Sequence, residues 1–228
     1  MSDIAGNYAR VREQVARVAR RCGRQPEAIT IVCAAKTKGP DAVRAVLAAG
    51  ATDIGENYVQ EAQQKMAQVP EPARWHLIGH LQRNKAKSAV RLFTLIHSLD
   101  SVALARELQR QAEKQGLVVR TLIEVNLGGE ITKSGIAAEM VDTLLAAVRE
   151  LPCVRVEGFM VVPPPGPDAE ASRPYFRALA RLRDDYARFQ APNILLRELS
   201  MGMTDDYPVA IEEGATIVRI GRAIFGER

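Results

Sequence analysis

The sequence is poor in the residues that would mark a redox, metal or nucleic-acid protein. Only three cysteines occur in 228 residues, Cys22, Cys33 and Cys153, and their separations match no metal or disulfide spacing. A scattered, odd set excludes a disulfide scaffold and implies reduced thiols and a cytoplasmic setting. The opening stretch "MSDIAGNYARVREQVARVARR" alternates charge with Val and Ala and has no apolar h-region. That excludes a signal peptide and a membrane span there. Aromatics make up 5% of the chain, and the net charge is a mild +4. No recognised nucleic-acid reader motif accompanies them. His76 and His80 have H-x3-H spacing, but no acidic residue completes a helical H-E-x-x-H pattern, so no metal site is read. Internal repeats and low-complexity tracts are also missing.

What is present is ordinary globular composition, 47% hydrophobic and 25% charged, in a chain long enough for a large core. The arginine-rich stretch 9–24 carries Val11, Val15 and Val18 at helical spacing, which reads as an amphipathic helix with a solvated basic face. Beyond it, β-rich runs at 29–35, 53–55, 74–78, 94–98, 120–126, 154–160, 195–200 and 216–220 alternate with helical patterns such as 41–49, 58–68, 102–115, 137–150 and 173–188. Alternation implies a parallel sheet. Eight such steps after one extra N-terminal helix predict closure as a single (β/α)8 TIM barrel, one domain over 1–228. "VPPPGP" at 162–167 reads as a stiff loop, since the pattern resumes directly after it.

Barrels of this kind work at the C-terminal ends of their strands. Those ends offer Lys36 after strand 1, Glu56 and Asn57 after strand 2, His80 after strand 3, and His97 and Ser98 on strand 4. Strand 5 offers Asn126 and then Lys133, which reads as a solvated loop lysine. Strand 7 runs into "LSMGMTDD" and strand 8 into "VRIGRAIFG". The loops after strands 7 and 8 frequently bind phosphate. Gly202 and Gly221 each stand at a strand-to-helix turn, where backbone N–H groups can approach an anion, and Ser200 adds a hydroxyl. One glycine at such a turn is usually only a turn; two on neighbouring strands suggest a cradle. Asp205 and Asp206 read as caps of the helix after strand 7.

Closure makes strand 1 the neighbour of strand 8. A phosphate at strands 7 and 8 would turn the rest of its ligand towards Lys36, whose amine can condense with a carbonyl. Pyridoxal phosphate fits, and so do the sugar phosphates of lysine-dependent aldolases. Arg219 bears on that choice. A guanidinium inside an apolar strand is costly unless paired. Facing inward it would lie beneath the ligand, and arginine is one partner for a pyridoxal ring nitrogen. Facing outward it would pair with a helix carboxylate.

These stretches resemble the pyridoxal phosphate homeostasis proteins, the YggS/PROSC-type PLP-binding family. The carriers are "KTK" at 36–38, "GENYVQE" at 55–61, "WHLIGHLQRNK" at 75–85, "HSLDS" at 97–101, "KSG" at 133–135, "LSMGMTDD" at 199–206 and "VRIGRAIFGER" at 218–228. The resemblance implies a fold-type III PLP-binding barrel, alanine racemase N-terminal domain-like, with the cofactor pyridoxal 5'-phosphate held as a Schiff base on Lys36. It implies Asn57 beside the cofactor, Ser200, Gly202 and Gly221 at the phosphate, Arg219 facing the ring nitrogen, and Thr216 and His80 as further contacts. Ala35 stands where family members have a serine or another small residue, and it lacks the hydroxyl of a serine.

The expected function is intracellular PLP (vitamin B6) homeostasis by storage or delivery, without catalytic turnover. PLP-requiring apo-enzymes are the expected partners; nucleic acid and membrane are not, and the chain is expected to be a monomer. One rival is a PLP-dependent amino-acid racemase-like enzyme. That chemistry needs acid–base groups on both faces of the substrate α-carbon, and the sequence shows no sure partner for Lys36. The other rival is a binding module built on the basic N-terminal helix.

Overall fold

Period-two alternation along the strands separates two apolar layers. In this computed structural model, residues 3–129, 134–189 and 191–227 are described; Lys133 lies outside them. The strands are β1 (Thr30–Ala34), β2 (Asp53–Glu56), β3 (Arg74–Leu77), β4 (Leu95–Leu99), β5 (Val119–Glu124), β6 (Val154–Met160), β7 (Ile194–Ser200) and β8 (Ile217–Ile220). All neighbours pair in parallel, and β1 pairs with β8 from Thr30↔Ile217 to Cys33↔Ile220, so the sheet closes. The expected barrel is therefore the observed one.

The helices are α1 (Ile4–Arg21), α2 (Pro40–Ala48), α3 (Val59–Met66), α4 (Ala86–Leu92), α5 (Val102–Gln115), α6 (Val141–Arg149), α7 (Arg173–Asp185), α8 (Tyr207–Glu212) and α9 (Arg222–Phe225). Helix α1 is the additional one. Asp3 caps it by accepting from the Gly6 N–H at 2.9 Å, and Tyr8, Val11, Val15 and Val18 are its buried face. That face packs against α8 and α9, the last helices of the chain. Most of the core lies between barrel and helices and includes Cys33, Ile54, Trp75, Leu77, Leu199, Val218 and Ile220.

Residues one position out of phase with those point into the barrel. The apolar part of the interior is small: Val32, Leu95, Leu122, Met160 and Ile217, with Ile78 against them. The rest is polar and buried, including Asp53, His76, His97, Glu124, Ser200 and Arg219. Buried polar groups are mostly paired, so this interior is a built feature and not a simple apolar plug.

Candidate functional site

Alternation carries Lys36 onto the inner face. Val32 points in, Cys33 and Ala35 belong to the outer core, and two further steps along β1 bring Lys36 to the mouth, half-buried. The turn that holds it is closed by the Lys38 N–H donating to the Ala35 carbonyl at 3.0 Å. Thr37 occupies the third position with φ of 65°. A positive φ there is the mark of a type II turn, and glycine is the usual occupant. A β-branched threonine in that region stores strain of roughly 1–3 kcal/mol, immediately beside Lys36. Lys38 turns away and donates to the carbonyls of Gly226 (3.3 Å) and Glu227 (2.8 Å).

A second lysine braces this turn from outside the barrel. Lys65 on α3 donates to the Ala35 carbonyl at 2.8 Å and to Glu56 Oε1 at 2.7 Å. Both side chains are buried. Burial raises the Glu56 pKa, and the Lys65 hydrogen bond opposes that rise. Glu56, expected at the mouth, lies on the outer face, and nothing in the sequence singled out Lys65. The signal was weak, because a lysine in a polar helix normally reads as solvated.

Asn57 continues the inner face of β2, and the register Ala34↔Gly55 sets it level with Lys36. On the other flank, Gly221 follows β8. A Cβ there would stand 3.2 Å from the Ala34 carbonyl oxygen, so the closing strands nearly touch at this point. Gly202 has φ of +92°, and a Cβ on it would strike Ala210 Cβ at 2.5 Å. Its glycine is thus required by packing on α8 as well as by the turn. The Gly202 carbonyl accepts from the Arg219 N–H at 2.9 Å, and Thr204 Oγ1 accepts from the Ala223 N–H at 3.3 Å. These two bonds stitch the loops after β7 and β8 together. Thr204 was not singled out in the sequence.

Arg219 faces inward and is buried, beneath the ends of β7 and β8. Its Nη1 donates to both the carbonyl and the hydroxyl of Ser200 at 2.7 Å, and its Nη2 donates to the Val161 carbonyl at 2.9 Å. No helix carboxylate receives it among these bonds. Burial pushes its pKa down to about 10, with Glu124 and Asp206 opposing, so it remains a cation at neutral pH. Glu124, at the inner end of β5, responds to the same environment in the opposite sense. Burial and then the Asp100 charge push it up to about 7, while Arg219 lowers it. Its Oε2 is buried without a hydrogen-bond partner. The apolar run "TLIE" concealed it, since Asn126 two residues on seemed the better candidate.

Three expectations need correction. Ser200 is fully buried, and its hydroxyl is engaged by Arg219 and by His97 Nδ1 at 2.9 Å, below the mouth. The hydroxyl is not open to the mouth. Thr216 precedes β8 at the opposite face, where its hydroxyl bonds Glu198 and accepts from the Leu199 N–H. The five steps from 216 to 221 span roughly 16 Å of strand, so Thr216 lies far from the mouth. Asp206 is the N-cap residue of α8, as expected, but its side chain makes no capping hydrogen bond. Asp205 pairs with Arg222, while Asp206 accepts from the Met203 N–H at 2.7 Å and the Ser172 hydroxyl at 2.8 Å. His80 stands half-exposed on the rim and contacts Asp100 at 3.1 Å. His76 points elsewhere, to Asp53 and His97. No group of three metal-ligating side chains forms among the described residues, and none of their helices is long and apolar enough to cross a membrane.

The mouth therefore joins an inward lysine, an asparagine, two glycine turns and a buried arginine beneath them. This donor set suits a phosphorylated aromatic aldehyde. Known proteins resemble the whole chain. The model for the alanine racemase N-terminal domain matches residues 7–228. A pyridoxal phosphate homeostasis protein of Aquifex aeolicus is 45% identical over 221 residues, covering 96% of each chain. One from Escherichia coli is 39% identical over all of this chain and 98% of its own. Among solved structures, PipY of Synechococcus elongatus with PLP bound superposes with a TM-score of 0.82 at 35% identity, over 93% of this chain and all of that one. An alanine racemase of Clostridium difficile shares only the fold, at 11% identity and a TM-score of 0.71, and this chain covers 57% of it. By the length and strength of these matches, the chain belongs to the pyridoxal phosphate homeostasis protein family.

Proposed function

We propose that this protein binds pyridoxal 5'-phosphate at the C-terminal mouth of the barrel and serves its homeostasis by storing or delivering it. The observation that carries the reading is Arg219, a buried cation facing inward beneath the strand ends that bear Lys36 and Gly221. The names of its relatives and the PLP held by PipY support the ligand class.

In this reading Lys36 carries the aldehyde as a Schiff base, and Asn57 lies beside it. The backbone at Gly202 and Gly221, with the Thr204 hydroxyl between the two loops, receives the phosphate. Arg219 meets the ring nitrogen, and His80 stands at the entrance. Bound PLP supplies an electron sink, which is strongest when its ring nitrogen is protonated. Arg219 opposes that proton, because two cations repel and arginine has no acceptor to offer. Transamination and decarboxylation are therefore disfavoured; arginine alone does not forbid racemisation, which also needs a second acid–base group. The whole chain acts as one domain, a monomer in the cytoplasm, and PLP-requiring apo-enzymes receive its cargo.

Glu124 favours a second reading. An inward carboxyl with a pKa near 7 is a candidate acid–base group for a racemase-like reaction. Incubation with L-alanine separates the two, since steady formation of the D-isomer would select the enzyme.

The main test is borohydride reduction of PLP-loaded protein followed by peptide mass spectrometry. Pyridoxyl should appear on Lys36 and vanish in Lys36→Ala. Labelling confined to Lys38 or Lys133 would reject the assignment.

A further inference from the structure

A row of polar side chains crosses the barrel from Arg219 to the N-terminal face. Arg219 Nη1 meets Ser200 Oγ at 2.7 Å, and Ser200 Oγ meets His97 Nδ1 at 2.9 Å. His97 Nε2 lies 3.0 Å from His76 Nδ1, and His76 Nε2 lies 2.9 Å from Asp53 Oδ1. Arg74 closes the row by gripping both Asp53 oxygens at 2.7 and 2.6 Å. Asp53, His76, His97, Ser200 and Arg219 are all buried, and His97 and Ser200 are fully enclosed. The row comes from five different strands, β2, β3, β4, β7 and β8.

Hydrogen-bond chemistry assigns every proton in it. A carboxylate only accepts, so His76 must donate from Nε2 to Asp53. With that proton in place, His76 Nδ1 is free to accept, and His97 donates to it from Nε2. His97 Nδ1 then accepts from the Ser200 hydroxyl. Ser200 in turn accepts from Arg219, which can only donate. From Arg219 to His76 every donor points the same way, towards Asp53. A doubly protonated His76 would reverse the upper half. His97 would then donate to Ser200, the serine hydroxyl proton would have no acceptor in the row, and a second cation would enter the interior that holds Arg219. Burial holds His97 well below its ordinary pKa, which agrees with a neutral His97 ring.

We propose that this is a one-directional relay in which Asp53, His76 and His97 act as positioning residues for Arg219. A carboxylate on the far face fixes both histidine tautomers. Those tautomers fix the Ser200 hydroxyl, and the hydroxyl orients the guanidinium at the mouth. The foot is not sealed. Asp53 and Arg74 line a cavity of about 620 Å³ between α1 and the strand starts, together with Tyr8, Arg12 and Thr30. The Arg74 side chain is 57% exposed there. A change at that cavity would be felt at the opposite end of the barrel through hydrogen-bond order, with no movement of the backbone.

The consequence for a cofactor rests on the reading of Arg219 above, but the relay itself is tested without one. Nitrogen-15 spectra of cofactor-free, histidine- and arginine-labelled protein read the tautomers directly. His76 and His97 should each show one protonated nitrogen, Nε2, and one bare nitrogen, Nδ1. Asp53→Asn should let His97 populate its other tautomer and should shift the Arg219 side-chain resonances, a response that a purely packing role for Asp53 would not give. Ser200→Ala should free His97 Nδ1 while leaving the His76–Asp53 bond intact. A doubly protonated His76, an Nδ1-protonated His97 in the unmodified protein, or an Arg219 signal indifferent to Asp53→Asn would overturn the proposal. The unmodified spectra decide it even where a variant fails to fold. If the tautomers are as assigned but no PLP binds, the failure lies in the functional reading and not in the relay.

Discussion

Lys65 holds the carbonyl of Ala35, the residue before Lys36, at 2.8 Å from the far side of the sheet. Its remaining strong partner is the buried carboxylate of Glu56. Removing one member of a buried ion pair typically costs about 3–5 kcal/mol, because the other charge is stranded. Lys65→Met should therefore lower the urea midpoint markedly. Pairing it with Glu56→Gln should restore part of that stability without restoring the grip on Ala35. The double variant should still release PLP faster than the parent. Equal release rates would show that Lys65 acts on stability alone.

Gly221 sits where β1 and β8 nearly touch, 3.2 Å from the Ala34 oxygen if it carried a Cβ. Gly221→Val should weaken PLP by at least tenfold and pyridoxal much less, since pyridoxal has no phosphate to lose. Titration of both ligands by absorbance checks it. The same loss for both would mean a distorted barrel end.

Arg219 should keep the cofactor's ring nitrogen unprotonated. Nitrogen-15 NMR of PLP labelled at the ring and bound to the protein reads that proton. Arg219→Glu, if it folds and binds, should give a more protonated ring. A protonated ring in the unmodified protein would contradict this account of low reactivity.

Glu124 predicts a pH trend in the cofactor-free protein. Its folded pKa, about 7, lies above the ordinary glutamate value. Between the two, the folded state binds the extra proton and the unfolded state does not. Stability from this group is thus fully present below the ordinary value and is lost as pH rises towards 7, at up to about 1.4 kcal/mol per pH unit. Glu124→Gln should flatten that slope in urea melts between pH 5 and 7. An unchanged slope would assign the trend to another group.

The barrel was legible because strands and helices alternate with distinct periods, and because glycines punctuate the last two turns. Lys36, Asn57 and Gly221 followed from position alone: each continues the inner phase of its strand. Arg219 could be placed on the inner face only as an alternative, since one strand does not reveal which phase the barrel encloses. Ser200 and Thr216 stand away from the open mouth for different reasons. Ser200 has the right phase, but its hydroxyl has two closer partners, one of them 103 residues away in sequence on β4. Thr216 was one strand length too low, an error of depth that a list of strand residues does not show. Lys65 and Glu124 were hidden because each looks like its neighbourhood, a polar helix and an apolar strand.

The pairing of β1 with β8 has a temporal meaning for a chain made from one end. Lys36 emerges seven strands before its neighbours Arg219 and Gly221, which arrive only with β8, and Asn7 then ties α1 to the Ile224 carbonyl at 3.0 Å. A nascent chain can display the reactive amine long before it can recognise anything. Ligand capture is thus a report of completed closure, and a ligand bridging the two edges acts as a clasp that stabilises the closed form by mass action.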